Sequence, residues 1–304
     1  MSDRPLHILF TPSLREGPWE DGIRETAAAK GLTVGRWGAD TADILIADHI
    51  PDLKVMEQEP RDWVILADTS AAALTAYSAT FHEYPPAGQS LLYASHRLVS
   101  AAWLAERGAA VLGQPAMALS LPKLGLVSPR RCEIPADAPG PLAPLLTLYD
   151  GLPVRVGAKS VWGPEQFSFP ANGEEDGGPS RIDLTGRARM LLHGGHLWLP
   201  PGHWRATVRM AINPEGRDAP LKFEWGIFWG VGHDGANDLV SVSEVIEEPG
   251  FYTVSLERLW DVPGPALLRV SVTQPLFQGV LEFLDCTVER LPDPAPKLEL
   301  ETQT

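Results

Sequence analysis

The apolar positions of the chain change their period once, near the middle. In the first hundred residues, short continuous apolar runs alternate with stretches of helical period. The runs are LHILF (6–10), LTVGRW (32–37), ADILIAD (42–48) and DWVILAD (62–68). Between the first two, GPWEDGIRETAAAKGL carries Pro18 near its start, acids in its first turn and Gly31 where a helix would stop. TSAAALTAYSAT (69–80) reads as a helix capped by Thr69 or Ser70. SLLYASHRLVSAAWLAERGAA has apolar residues at 91, 92, 98, 99, 102 and 103, a helical spacing, with Gly108 as its stop. Compact apolar strands between helices predict a parallel sheet covered on both faces. The expectation for residues 1–115 is therefore an α/β domain, Rossmann-like or flavodoxin-like.

Residues 116–152 are dense in proline and still rich in leucine, which reads as a partly ordered connector. Beyond it the period becomes two. HWRATVRMAI sets Trp204, Ala206, Val208, Met210 and Ile212 on one face and Arg205, Thr207 and Arg209 on the other. KFEWGIFW aligns Phe223, Trp225, Ile227 and Trp229; FYTVSLERL aligns Tyr252, Val254 and Leu256; LLRVSVT aligns Leu268, Val270 and Val272. In VLEFLDCTV the phase slips from Leu281 and Phe283 to Leu284, Cys286 and Val288, which predicts a β-bulge or a twist between faces. Strands broken by Gly, Pro, Asn and Asp turns predict a jelly-roll-type β-sandwich over 153–291, with a disordered tail at 292–304. Limited proteolysis is expected to cut within 128–142 and leave two folded fragments.

Composition narrows the partners. A formal net charge of −14 repels phosphate backbones and anionic lipid, so no nucleic-acid partner and no membrane insertion are expected. Two cysteines, Cys132 and Cys286, cannot staple 304 residues. No apolar run reaches spanning length, and MSDRPLHILF lacks a leader's apolar core. A cytoplasmic setting is the expectation, and no cofactor is expected.

Candidate chemistry falls in three places. In open α/β sheets ligands bind beyond the carboxyl ends of strands, which here carry Thr11, Ser13, Arg15, Asp48, His49, Asp68, Thr69 and Ser70. No glycine-rich phosphate fingerprint accompanies them, and Asp48 and Asp68 also suit loop and helix capping. Ser95 beside His96 lies in a helical pattern, not on a nucleophile elbow. The segment LLHGGHLWLPPGHWRATVRMAI holds His193, His196 and His203 around glycines and prolines, without acidic or thiolate companions, so no metal is expected. Asp234, Asn237 and Asp238 share a glycine-rich loop, where a solvated turn is the simpler reading than calcium. Among ten tryptophans, Trp204, Trp225 and Trp229 are in phase with core positions. Trp162, Trp198, Phe228 and Trp260 are the candidate exposed platforms for sugar rings.

The stretch GGHLWLPPGHWRATVRM, Gly194 to Met210, resembles the G-P-Y-x-x-L-P-x-G-x-Y-x-V-x-F segment of β-sandwich modules that accompany bacterial glycosyltransferases and surface-polysaccharide proteins. His196 and Trp204 stand where that pattern has aromatics, and Gly195 replaces its proline. The resemblance implies a sandwich in a carbohydrate-linked setting, not a catalytic residue. The leading expectation is a non-catalytic protein whose sandwich binds glycan or a protein partner, with Trp198 as the first stacking candidate, His196 and Trp162 beside it, and weak nucleotide-sugar affinity. The alternatives are a glycosyltransferase-like enzyme holding a donor near Ser13, Arg15, Asp48 and Asp68, and a structural or assembly protein.

Overall fold

The computed structural model describes residues 4–47, 62–68, 87–131, 143–170, 180–216, 218–227 and 238–294. The expected helix over 69–80, and Asp48, His49, Cys132, Phe228, Trp229, Asp234 and Asn237, lie outside these residues.

The N-terminal part builds β1 (Leu6–Phe10), α1 (Glu16–Ala29), β2 (Val34–Arg36), β3 (Ile44–Ala47), β4 (Trp63–Ala67), α2 (Ala87–Glu106) and β5 (Ala110–Gly113). The five strands form one parallel sheet in the order β2-β3-β1-β4-β5. This corrects the expectation of a Rossmann-like or flavodoxin-like domain. Those folds order their strands 3-2-1-4-5 and 2-1-3-4-5, and neither order is present. The link from β2 to β3, residues 37–43, is also too short for the helical crossover that joins parallel neighbours in a doubly wound sheet. The described residues are mostly strand, and only α1 and α2 among them exceed one helical turn.

One face of the sheet packs Leu6, Ile8 and Phe10 against Trp19, Ile23 and Ala27 of α1, together with Leu121, Leu124 and Val127 from the hairpin β6 (Leu119–Leu121) and β7 (Gly125–Val127). The other face packs Leu9, Trp63 and Ile65 against Ala101, Trp103 and Leu104 of α2.

The rest of the chain forms α3 (Ala143–Leu146), β8 (Lys159–Trp162), β9 (Phe167–Ser168), β10 (Arg181–Asp183), β11 (Arg189–Leu199), β12 (Gly202–Asn213), β13 (Ala219–Ile227), β14 (Asp238–Ile246), β15 (Gly250–Trp260), β16 (Gly264–Val272) and β17 (Val280–Leu291). Two antiparallel five-stranded sheets result. One runs β10-β17-β12-β15 with β8 also on β17; the other runs β14-β13-β16-β11-β9. Their facing sides make the large core, with Trp204, Ala206, Val208, Met210 and Ile212 buried as the alternation of β12 predicts. The phase slip in β17 is a bulge. Arg209 pairs with Asp285 and Met210 with Phe283, so Leu284 is the extra residue.

The connector divides between the two cores: Leu121, Leu124 and Val127 join the first, and Leu145, Leu146, Leu148 and Tyr149 join the sandwich. Helix α2 belongs to both, because Leu98 and Ala102 are fully buried in the sandwich cluster while Ala101 and Leu104 face the parallel sheet. We propose that cleavage within 128–142 yields two folded pieces, and expect them to co-elute on size-exclusion chromatography until denaturant is added. Separation without denaturant would show that the packing of α2 on the sandwich is dispensable.

Candidate functional site

The carboxyl ends of β1, β4 and β5 do bring residues together. Asp68 N–H donates to Thr11 Oγ1 at 2.8 Å, and Gln114 Nε2 donates to the carbonyls of Thr11 and Leu66 at 3.1 and 2.7 Å. Arg97 Nη2 reaches the Phe10 carbonyl at 3.1 Å and Glu16 Oε2 at 3.0 Å. Ser13 is buried and accepts the Arg15 backbone N–H at 3.1 Å, while Arg15 Nε lies 3.5 Å from Asp68 Oδ2. These groups stitch strand ends and loops to one another. Ser13 thus bonds the local backbone as short polar side chains commonly do, and the Asp68 carboxylate faces Arg15.

The histidine-rich stretch folds as β11, the turn Pro200-Pro201 and β12. His203 sits on the other sheet from His193 and His196, with Nδ1 3.0 Å from the Pro292 carbonyl and Nε2 3.4 Å from Glu257. The three imidazoles therefore do not converge. His193 and His196 meet edge to face at 6.4 Å. Trp198 is half-buried. Its ring stacks on His96 of α2 at 4.1 Å, its backbone N–H donates to Ser95 Oγ at 3.1 Å, and its backbone carbonyl accepts the buried Tyr149 hydroxyl. One face of the indole is thus covered by His96. Trp162 and Trp260, the other described platform candidates, are corrected to core residues at 1% exposure each, because both rings pack around Trp225.

Burial, then Arg269, holds His193 below its usual pKa; burial, then His193 and Arg269, does the same for His196. Protonating either ring therefore favours the unfolded chain. The stability is full above the unfolded value near 6.5 and is lost as pH falls through that value toward the lower folded ones. The urea midpoint is expected to fall between about pH 7 and pH 5, and His196→Asn to flatten that slope. His7, also lowered mainly by burial, leaves a residual slope. An unchanged slope in His196→Asn would refute the assignment.

An open cavity of about 360 Å3 lies at the rim of the sandwich, lined by Asp218, Pro220, Gln274, Pro275, Leu276 and Phe277. Its loop joins β16 to β17 and is pinned on both sides. Thr273 N–H donates to the Pro220 carbonyl at 3.0 Å, and Leu276 exchanges two backbone hydrogen bonds with Gly186 at 2.8 and 2.9 Å. Leu276 is buried at 8% exposure, and the pinning turns the next side chain outward, so Phe277 stands 74% exposed. An apolar ring beside a carboxylate and a carboxamide is the chemistry that holds a sugar: the ring stacks on C–H faces while planar polar groups bond hydroxyls. Sequence reading passed over this loop because a phenylalanine in TQPLFQG carries no periodic signal; its only flag is an aromatic inside a Pro/Gln/Gly turn between two strands.

No family model matches the chain, and no curated protein matches it in sequence. Solved structures do show a likeness. The CBM22-1 xylan-binding domain of Paenibacillus barcinonensis Xyn10C is 15% identical, covers 46% of this chain and 99% of its own, and has a TM-score of 0.32. TmCBM61, solved with β-1,4-galactotriose, is 13% identical over 43% of this chain and 88% of its own, with a TM-score of 0.27. The CBM36-1 domain of a xylanase from the hindgut metagenome of Trinervitermes trinervoides is 15% identical over 43% and 95%, also at 0.27. At these TM-scores the likeness carries no inference about ligands, and the β-sandwich is established by the chain's own two antiparallel sheets.

Proposed function

We propose that this protein binds glycan without catalysis, through the rim cavity of its sandwich, in a bacterial surface-polysaccharide setting. The observation that supports the reading is Phe277, a phenyl ring held 74% exposed over a cavity that also presents Asp218 and Gln274. Leaving such a ring in water forgoes roughly 1.5–3 kcal/mol of burial, and the loop's backbone pairing with Gly186 holds it there. The cavity of about 360 Å3 falls within the roughly 300–1,000 Å3 of small-ligand pockets. The surface-polysaccharide setting draws on the resemblance of Gly194–Met210 to modules of that kind.

The test is calorimetry with oligosaccharides of β-1,4-xylan, β-1,4-galactan and bacterial surface polysaccharides. Phe277→Ala is expected to weaken binding about fivefold, the effect of losing one stacking contact of order 1 kcal/mol. Trp198→Ala is expected to lower stability more than affinity, because its ring is already stacked on His96. No binding to any of these glycans, or binding indifferent to Phe277→Ala, would overturn the reading.

A further inference from the structure

A second cavity, of about 210 Å3, opens beside the first turn of α1, far along the chain from the rim residues. Its lining includes Arg15, Arg130 and Arg131 and no carboxylate, in a chain of net charge −14. Three segments must be held to bring these arginines to one cavity, and each is held around α1. Trp19 of α1 is fully buried, and its Nε1 donates to the Gln114 carbonyl at 2.9 Å, which fixes the turn that carries Pro115, Ala116 and Met117. Arg130 N–H donates to the Pro18 carbonyl at 2.9 Å, laying the segment after β7 across the start of the helix. Gly22 permits that approach: a Cβ there would lie 2.0 Å from the Ser128 carbonyl oxygen. Arg15 leads into the helix from the end of β1.

The nearby acids only partly neutralise these arginines. Asp68 is 3.5 Å from Arg15, and Asp21 is 3.7 Å from Arg130 with both side chains more than half exposed, a separation at which surface pairs are worth little. No ion pair to Arg131 is present among the described residues. Arginine's planar fork matches the oxygens of a phosphate group two at a time. Met117, 90% exposed, adds an apolar rim that an inorganic anion alone would not use.

We propose that this cavity is a binding site for a phosphate dianion, supplied as free phosphate or as the ester of a small organic molecule. The site is independent of the glycan reading, because it shares no residue with the rim cavity.

The experiment is calorimetry on the full chain at fixed ionic strength, with inorganic phosphate, glucose 1-phosphate and citrate as probes. Saturable binding of phosphate or of its ester is expected. Arg131→Ala and Arg130→Ala should each weaken it about tenfold, the effect of losing one charge-assisted contact of about 1.5 kcal/mol. The ester binding more tightly than phosphate would place the organic moiety against Met117; equal affinities would identify the free anion as the ligand. Gly22→Ala should weaken binding while retaining every arginine. If that variant fails to fold, the two surface arginine variants still decide. Absence of saturable phosphate binding, binding that ignores both arginine substitutions, or binding of citrate alone would overturn the proposal.

Discussion

Gly195→Ala is expected to destabilise the sandwich by about 4 kcal/mol, from two effects that act together. The first is backbone strain. Gly195 has φ +97°, a conformation that costs an L-residue about 1–3 kcal/mol. The second is overlap: a Cβ at this position would lie 2.2 Å from Cζ3 of Trp162. Forcing extra volume into a packed core costs a further ~1–3 kcal/mol. Trp162 cannot swing away, because its ring packs between Phe167 and Trp225 with centroids at 6.5 and 5.8 Å, and its Nε1 donates to Ser160 Oγ at 3.0 Å. Gly216→Ala separates the two effects. Its φ is +80° but nothing lies within 4 Å of the added methyl, so only the strain of about 1–2 kcal/mol should register. Urea denaturation of both variants, followed by tryptophan fluorescence, gives the comparison. Equal losses at the two sites would mean that Trp162 relaxes freely and that the packing argument is wrong.

The same glycine explains why the middle of β11 was hard to read. HGGH suggested a turn, whereas Gly194 and Gly195 lie within a strand where Gln166, Phe167 and Trp162 approach closely. Those neighbours lie roughly thirty residues earlier, and short-range pattern holds no trace of them. What period alone carries was legible: the alternation of β12, its inward tryptophan and the bulge at Leu284 all follow from side chains pointing to opposite faces in turn. Strands β1 to β4 were legible as apolar runs, but β5, largely exposed, was not, and neither was the strand order. Continuous apolar strands look alike whichever neighbour they pair with, and no period marks the short link between β2 and β3. Trp198 likewise turned on a partner, His96, about a hundred residues away. Of the strand-end residues, Ser13, Arg15 and Asp68 do meet, but as one another's partners, and what Arg15 lines beyond them depends on Arg130 and Arg131, which sequence places in a connector.

Trp225→Ala should be comparably damaging, lowering stability by about 3–5 kcal/mol, as removal of a fully buried aromatic from a core does. Trp225 is 0% exposed on β13, flanked across the strands by Val240 and Leu268. Its ring sits 5.8 Å from that of Trp162 and 5.7 Å from that of Trp260, so truncation strips contacts from two further tryptophans. Trp225→Phe should behave very differently. The indole Nε1–H is buried with no hydrogen-bond partner among the described residues, and a buried donor left in that state costs about 1–3 kcal/mol. Phenylalanine removes the donor and keeps one ring, so the relief of desolvation opposes the loss of volume. The net loss should therefore be clearly smaller than that of the alanine variant, because a relief of about 1–3 kcal/mol offsets part of the lost packing. Denaturant unfolding of the two variants tests both halves of the argument. A phenylalanine variant as unstable as the alanine one would mean that the indole proton is bonded in the folded protein and that this residue is held by polarity as well as by packing.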